Sequence, residues 1–155
     1  MPVNKHLSRE NMDKNTTEKL TEVLVNIDRI DKLQNYIDDL EDETPFGSFQ
    51  EYFNSLPQVS SIDKAELIRR TNIERTYGYQ ILNGTRSPGR DKVILLCICA
   101  VLNLHETQRT LRCAGEPELY SRNRRDAIII FALNERLDIA DTQELLMQFD
   151  EPVLE

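Results

Sequence analysis

Apolar residues recur along most of the chain at the three- and four-residue spacing of an amphipathic helix. The first stripe predicts one long helix over about residues 16–40. A second stripe predicts a short helix from Phe46 to Leu56, which the following Pro57 ends. No alternating run of β-branched residues is bounded by turn signals, so the pattern predicts an all-α fold. The apolar positions of the two stripes are Leu20, Val23, Leu24, Ile27, Ile30, Leu33, Ile37 and Leu40, and then Phe49, Tyr52, Phe53 and Leu56.

The C-terminal half contains an internal repeat. Residues 90–120 match residues 125–155 at a constant offset of 35, with identity at ten of 31 positions. Each copy predicts a helical hairpin, in which an Asp near the start can cap the first helix. Asn103 and Asp138 are then the N-caps of the second helices, each followed three residues later by an acid. Duplication and convergence on a favourable hairpin sequence both explain the match. The identical pairs are Arg90/Arg125, Asp91/Asp126, Ile94/Ile129, Leu102/Leu137, Thr107/Thr142, Gln108/Gln143, Leu111/Leu146, Glu116/Glu151, Pro117/Pro152 and Leu119/Leu154.

Residues 62–84, IDKAELIRRTNIERTYGYQILNG, predict two short helices with a tight connection. Ser61 or Asp63 can cap the first helix, and Asn72 can cap the second. Gly84 can end the second helix with the positive φ that such a stop needs. Helices joined so tightly must cross steeply, which leaves the front of the second one protruding. A protruding helix of this diameter fits the major groove of B-DNA.

The charge distribution separates this segment from the rest of the chain. The whole chain carries a net charge of −8, yet residues 57–92 hold seven basic and four acidic side chains. The net charges of residues 1–56, 93–121 and 122–155 are −6, −1 and −4. Any contact with a phosphate backbone is therefore expected on one face only.

The remaining composition excludes several classes of function. Cys97 and Cys99 lie in an apolar run and are interpreted as buried thiols, and with Cys113 they form no CxxC. His6 and His105 are isolated, so we expect no metal and no other cofactor. No catalytic set is recognisable, so we expect no enzyme. The longest apolar run is too short to span a bilayer, and no apolar signal segment follows the N-terminus, so we expect a cytoplasmic protein without membrane contact.

The segment at 62–84 resembles the lambda-repressor-like, Xre-type helix-turn-helix family of bacterial and phage DNA-binding proteins. The resemblance covers about residues 46–114 and includes the link NGTRSP after the second helix. It implies a five-helix domain whose recognition helix spans about residues 73–83. The runs RTYGYQI, RDKV, ETQ and NRRDAIIIFAL also resemble a Gram-positive group of Xre-like proteins with an extra C-terminal hairpin.

Three regions follow from the repeat and the resemblance together. Residues 1–44 are expected to form an acidic N-terminal helical segment, and residues 45–117 the helix-turn-helix domain. Residues 118–155 are expected to form a C-terminal helical hairpin packed on that domain.

The resemblance also implies a set of DNA-contacting residues. Arg75 can pair bidentately with guanine, Gln80 with adenine, and Thr76 with a thymine methyl or a phosphate. Gly78 stands where the family usually has an aliphatic residue, which predicts a close approach of the two helices or a space filled by Tyr77. The base-contacting candidates are Lys64, Glu74, Arg75, Thr76, Tyr79 and Gln80, and the phosphate-contacting candidates are Asn83, Arg86, Arg90 and Lys92.

Several of these residues have alternative interpretations. Glu74 can accept a hydrogen bond from cytosine, or it can weaken binding. Tyr77 and Tyr79 can pack or can contact DNA, whereas Arg69 and Arg70 are interpreted as solvated charges. The basic run at 122–125 is interpreted as capping and pairing within the hairpin, with contact to a flanking phosphate as the alternative.

These observations predict a sequence-specific regulator of transcription that binds double-stranded DNA as a homodimer. The 20–40 stripe and the second hairpin are the candidate dimer interfaces. The alternative function is a protein-interaction module that reuses the fold. Its acidic N-terminal helix would then bind a partner protein or mask the DNA face.

Overall fold

The structure is a computed structural model that describes residues 29–41 and 48–155. Within these ranges the chain is all-α, with nine helices and no strand. None of the described helices is long and apolar enough to cross a membrane. Contacts between residues divide the chain into two compact units, residues 1–44 and 45–155.

The first unit contributes one described helix, α1, which spans Ile30–Glu41. Ile30, Leu33 and Ile37 lie on it at three- and four-residue spacing, and their side chains are exposed. The predicted helix over 16–40 is confirmed for this part, and residues 16–28 lie outside the described ranges. The last turn of α1 contains no basic residue that could offset the negative end of the helix dipole.

The second unit contains eight helices. Its short first helix buries Phe49, Tyr52, Phe53 and Leu56, as the apolar stripe predicts. Leu56 ends that helix in extended backbone, and Pro57 then begins a one-turn helix that the sequence analysis missed. The helices are α2 Phe49–Ser55, α3 Pro57–Ser60, α4 Lys64–Thr71, α5 Arg75–Asn83, α6 Arg90–Cys99, α7 Leu104–Cys113, α8 Arg124–Asn134 and α9 Ile139–Gln148.

Helix α6 lies at the centre of this unit. Every residue from Val93 to Ala100 is buried, including Cys97 and Cys99, as the apolar run predicts. A helix that is apolar on all sides needs neighbours on all sides. Helices α4, α7 and α9 are those neighbours.

The repeat forms two hairpins, α6–α7 and α8–α9. Two salt bridges join them, and in each an arginine of one hairpin pairs with an aspartate of the other. Arg90 donates two hydrogen bonds to the Asp126 carboxylate, at 2.9 and 2.8 Å. Arg125 donates two to the Asp91 carboxylate, at 3.0 and 2.9 Å. We call these two bridges the clasp. The prediction that Asp91 and Asp126 cap helices is wrong, because Gly89 and Asn123 hold the N-cap positions and the carboxylates reach the opposite hairpin.

Further hydrogen bonds repeat at the same offset. The Gln108 side chain both donates to and accepts from the backbone of Leu119, and Gln143 does the same with Leu154. Helix α6 packs on α9 while α7 packs on α8, which is the exchange that a two-fold relation requires. The two hairpins therefore form an internal pseudo-symmetric pair.

Candidate nucleic-acid interface

Helices α4 and α5 form the predicted pair of helices with a tight connection. Helix α4 ends at Asn72, whose φ of 60° is left-handed and whose N–H donates to the carbonyl of Arg69. The prediction that Asn72 caps the second helix is therefore wrong, because Asn72 instead turns the chain at the end of the first. Buried Ile73 follows, and Glu74 is the N-cap of α5.

The cap of α5 uses the acidic residue assigned to base contact. The Glu74 carboxylate accepts hydrogen bonds from the N–H groups of Thr76 and Tyr77, at 3.0 and 2.8 Å. These backbone hydrogen bonds lower the pKa of Glu74. The carboxylate therefore stays ionised at neutral pH, and it is exposed at the tip of α5. It favours the helix N-terminus electrostatically while placing negative charge on the candidate DNA face.

The crossing of α4 and α5 depends on the absence of a side chain at Gly78. A Cβ atom built at Gly78 would lie 2.7 Å from Cγ2 of Ile68, closer than packed carbon atoms approach. The close approach of the two helices, one of the two expected outcomes, is thus the observed one. Tyr77 is half-buried and packs against the core.

Two arginines lie over tyrosine rings at the front of α5 and just after it. The Arg75 guanidinium carbon is 5.8 Å from the ring centroid of Tyr79, and that of Arg86 is 5.8 Å from the ring centroid of Tyr77. Both tyrosines also pack against the core, so each ring supports a cation from a fixed position. Arg75, Thr76 and Arg86 are exposed, and Gln80 is half-buried.

The link after α5 is held by backbone hydrogen bonds. Gly84 has a φ of 81° and ends the helix, as predicted. The N–H groups of Thr85 and Arg86 both donate to the carbonyl of Gln80, at 2.9 and 3.1 Å. Asn54 on α2 donates to the carbonyl of Leu82 at 3.0 Å, which anchors the end of α5 to the core. Arg86 therefore extends from an ordered link.

The remaining candidates are the base-contacting candidate Lys64 and the phosphate-contacting candidates Asn83, Lys92 and Arg90, and they differ in position. Asn83 and Lys64 are exposed, and Lys92 is half-exposed in the first turn of α6. Arg90 belongs to the clasp, and its guanidinium also donates to the carbonyls of Pro117 and Glu118. Those four hydrogen bonds account for Arg90 without a phosphate.

Three of the four residues in the basic run at 122–125 cap a helix or form salt bridges within the pair of hairpins. Asn123 caps α8 by accepting a hydrogen bond from the N–H of Asp126. Arg124 pairs with Glu151, and Arg125 belongs to the clasp. Capping and pairing, the preferred interpretation, therefore describe these three residues, whereas Arg122 is exposed.

One feature of α4 was missed from the sequence. The Glu66 carboxylate accepts hydrogen bonds from both Arg69 and Arg70. These bonds lower the pKa of Glu66 to about 2. The spacings of three and four residues on one helix were the available signal. Arg69 and Arg70 are exposed, so their interpretation as solvated charges agrees with their position.

No known protein family, curated protein or solved structure matches the chain. A function is therefore inferred from the geometry of α4, α5 and the link after them. Among the described residues, no group of His, Cys, Asp and Glu side chains could hold a metal ion.

Proposed function

We propose that the chain is a sequence-specific DNA-binding regulator, a binding protein rather than an enzyme. In this proposal residues 45–117 form a lambda-repressor-like domain whose five helices are α2 and α4 to α7, with the one-turn α3 between α2 and α4. Helix α5 enters the major groove of double-stranded DNA. The observation that carries the proposal is the exposed front of α5. There Arg75 and Thr76 face outward, while Gly78, Ile81 and Leu82 on the same helix are buried.

The surroundings of α5 suit a phosphate backbone. Asn83 ends α5 and Arg86 lies in the link after it, so polar side chains that can contact phosphate lie at the C-terminal end of the helix, while the base-contacting candidate Lys64 begins α4. Of the four segments 1–56, 57–92, 93–121 and 122–155, only residues 57–92 have a positive net charge. Phosphate contacts position a protein on DNA, and base contacts from the helix front provide its specificity. We assign Arg75 to a base and Arg86 to a phosphate.

Selection of bound DNA from a random pool, followed by gel shift, tests this proposal. Arg75→Ala is expected to weaken binding by about 1–3 kcal/mol and to relax the preference at one base position. Arg86→Ala is expected to weaken binding to all sequences and to reduce the slope of affinity against salt by about one ion.

The matched control for these arginine variants is Arg136→Ala, which removes an exposed arginine from the loop between α8 and α9. It is expected to leave DNA affinity within about twofold of the wild-type value. Two results would contradict the proposal: no enriched site at low salt, or full binding by the Arg75→Ala/Arg86→Ala double variant.

We further propose that the regulator is a homodimer. A single domain of this size reads only a few base pairs, and a two-fold dimer reads two half-sites about one helical turn apart. Light scattering on the full chain tests this, and a monomeric mass at high micromolar concentration would refute it. The exposed apolar residues of α1 are one candidate interface, and the second hairpin is the other.

A protein-interaction module is the second candidate function, and the Glu74 cap favours it. An ionised carboxylate at the tip of α5 repels phosphate, and residues 1–56 add a net charge of −6. In this alternative the acidic N-terminal segment binds a partner protein or masks the basic face. Deletion of residues 1–44 distinguishes the cases, because masking predicts a gain in DNA affinity. Unchanged affinity, or no binding in either form, would exclude masking.

A further inference from the structure

The two hairpins differ in exposure along one face. In the first hairpin, helices α2, α3 and α4 cover this face through several contacts. Cys99 donates to the carbonyl of Leu67, Gln58 donates to Glu106, and the Arg109 guanidinium lies 4.9 Å from the ring centroid of Tyr52. The equivalent positions of the second hairpin, 35 residues later, are Asn134, Asp141 and Glu144, and all three are exposed.

Apolar residues share this uncovered face. Leu96 precedes Cys99 by three residues on α6 and is 1% exposed, whereas its equivalent Phe131 is 52% exposed. Thr110 is buried, whereas its equivalent Leu145 is only half-buried. Val93 is likewise buried, and its equivalent Ile128 is half-buried. We call this surface the open face, and its residues are Ile128, Phe131, Asn134, Asp141, Glu144 and Leu145.

The charge of the open face differs from that of its covered counterpart. Arg109 in the first hairpin is replaced by Glu144, and Glu106 by Asp141, so the open face has two acids and no base. Three apolar side chains lie with them. An apolar patch bordered by acids is complementary to a helix with apolar residues on one side and basic residues on the other.

We propose that the open face binds a basic amphipathic helix of a partner protein. The helix would lie over the second hairpin as α2 and α4 lie over the first, with its apolar side on Phe131 and Leu145. Its lysines or arginines would pair with Asp141 and Glu144. The first hairpin shows that a surface of this shape accepts short helices, because α2 packs on α7 and α4 packs on α6 in the same molecule.

The chain itself is a poor occupant of this face. Residues 1–56 carry a net charge of −6, so they would place like charges against Asp141 and Glu144. A second copy using the same face would place each acidic pair against its own symmetry mate. Both arrangements cost electrostatic energy that a basic helix avoids.

The binding test uses the full chain and a fluorescent synthetic peptide of about five helical turns. The peptide has leucine on one face and lysine on the other, and a matched peptide has glutamate in place of lysine. Anisotropy at physiological salt is expected to give micromolar affinity for the lysine peptide and at least about tenfold weaker binding of the glutamate peptide. Failure of the lysine peptide to bind, or equal binding of both peptides, overturns the proposal.

Variants locate the binding. Phe131→Glu and Glu144→Lys are each expected to weaken binding at least about tenfold. The controls are Met147→Glu, an exposed apolar residue outside the open face, and Glu118→Lys, an equal charge change on the first hairpin. Both controls are expected to stay within about twofold of the wild-type affinity. Equal losses in the controls and the open-face variants would overturn the proposal.

Two further measurements exclude the other occupants. A mass that falls from dimer to monomer in Phe131→Glu would identify a second copy as the occupant. An increase of about tenfold or more in peptide affinity on deletion of residues 1–44 would identify the N-terminal segment instead. Either result overturns the proposal. DNA binding by Phe131→Glu is expected to be unchanged, so this test and the test of the DNA-binding proposal can fail separately.

Discussion

The hairpins α6–α7 and α8–α9 share one sequence pattern and one set of internal hydrogen bonds, yet they have different surroundings. The first packs on α2 and α4 and also on the second hairpin. Among the described helices, those that pack most closely on the second hairpin are α6 and α7 of the first. Leu96 is consequently 1% exposed while Phe131, at the equivalent position, is 52% exposed.

Sequence identity between the hairpins follows this difference. Arg90/Arg125, Asp91/Asp126 and Gln108/Gln143 are identical, and the partners of each lie inside the pair of hairpins. Arg109/Glu144 and Cys99/Asn134 differ, and the first member of each pair contacts a residue of α2 or α4. The comparison indicates that the shared residues maintain the two-fold pair, while the differing residues adapt each hairpin to its neighbour.

The largest expected difference is between truncations at the two equivalent apolar positions. Leu96→Ala is expected to lower the free energy of unfolding by about 3 kcal/mol, because it leaves a cavity in a closed core. Phe131→Ala is expected to cost about 1 kcal/mol or less, since the ring already contacts solvent. Urea unfolding followed by circular dichroism measures both values. Equal costs would mean that the open face is covered in solution.

The second comparison concerns the two halves of the clasp. Asp126→Ala is expected to lower the free energy of unfolding by about 3 kcal/mol, because the Asp126 side chain is 7% exposed and its loss leaves Arg90 without its carboxylate. Asp91→Ala is expected to cost about 1–2 kcal/mol, since its side chain is 26% exposed. Glu118→Ala, which breaks only a surface pair with Arg112, is the control and should cost about 0.5 kcal/mol or less. Equal losses in all three variants would show that the clasp stabilises the fold no more than a surface ion pair does.

The clasp also predicts how stability depends on pH. Burial acts to raise the pKa of Asp126, but hydrogen bonds from Arg90 and from the N–H of Tyr120 outweigh it and leave this pKa below its ordinary value of 3.8. The pKa of Asp91 is lowered in the same way, against burial, by Arg125 and by the N–H of Glu155. Groups with a lowered folded-state pKa stabilise the fold above their unfolded-state pKa, and this contribution is lost as the pH falls through the folded-state value.

The measurement for this prediction compares the wild-type chain with the Asp91→Asn/Asp126→Asn double variant. The difference in their free energies of unfolding should be constant above about pH 5 and should shrink below about pH 4. Glu66 and Glu74 also have lowered pKa values, but both proteins contain them, so they do not affect the difference. A difference that stays constant down to pH 2 would contradict the role given to the two carboxylates.

The smallest expected effect is at the caps of α7 and α9. Asn103 accepts a hydrogen bond from the N–H of Glu106, and Asp138 accepts one from the N–H of Asp141, both at 2.8 Å. Asn103→Ala and Asp138→Ala are each expected to cost about 1 kcal/mol. The two costs should agree within a few tenths, because both bonds lie inside their own hairpins. A markedly larger loss for one hairpin, measured by thermal unfolding, would show that its cap has a further role.

Several features that depend on neighbours within a few residues were predicted correctly from the sequence. The stop at Gly84, the caps at Asn103 and Asp138, and the buried side of α2 follow from local spacing, and all are present. Asn72 was misassigned because Asn favours both an N-cap and a left-handed turn. In the structure Asn72 adopts the left-handed turn and Glu74 is the N-cap.

Long-range pairing could not be read in the same way. Arg90 and Asp126 are 36 residues apart, and only the docking of two hairpins brings them together. Arg90 was expected to contact phosphate because it follows α5 in the sequence. That position alone does not indicate a partner on the opposite hairpin. The identical Arg-Asp dipeptide at both ends of the 35-residue offset was a usable signal, since a two-fold pair exchanges such partners.

Leu119 is the last residue of the first repeat copy that is hydrogen-bonded to Gln108 of α7. Only the turn from Tyr120 to Asn123 separates it from the start of α8. It therefore acts as a tether that holds the second hairpin at high effective concentration beside the first, whatever the dilution of the protein. The same arrangement permits domain exchange, because the second hairpin of one molecule can make the clasp with the first hairpin of another. The length of this turn therefore affects how readily the two hairpins of one chain close on each other.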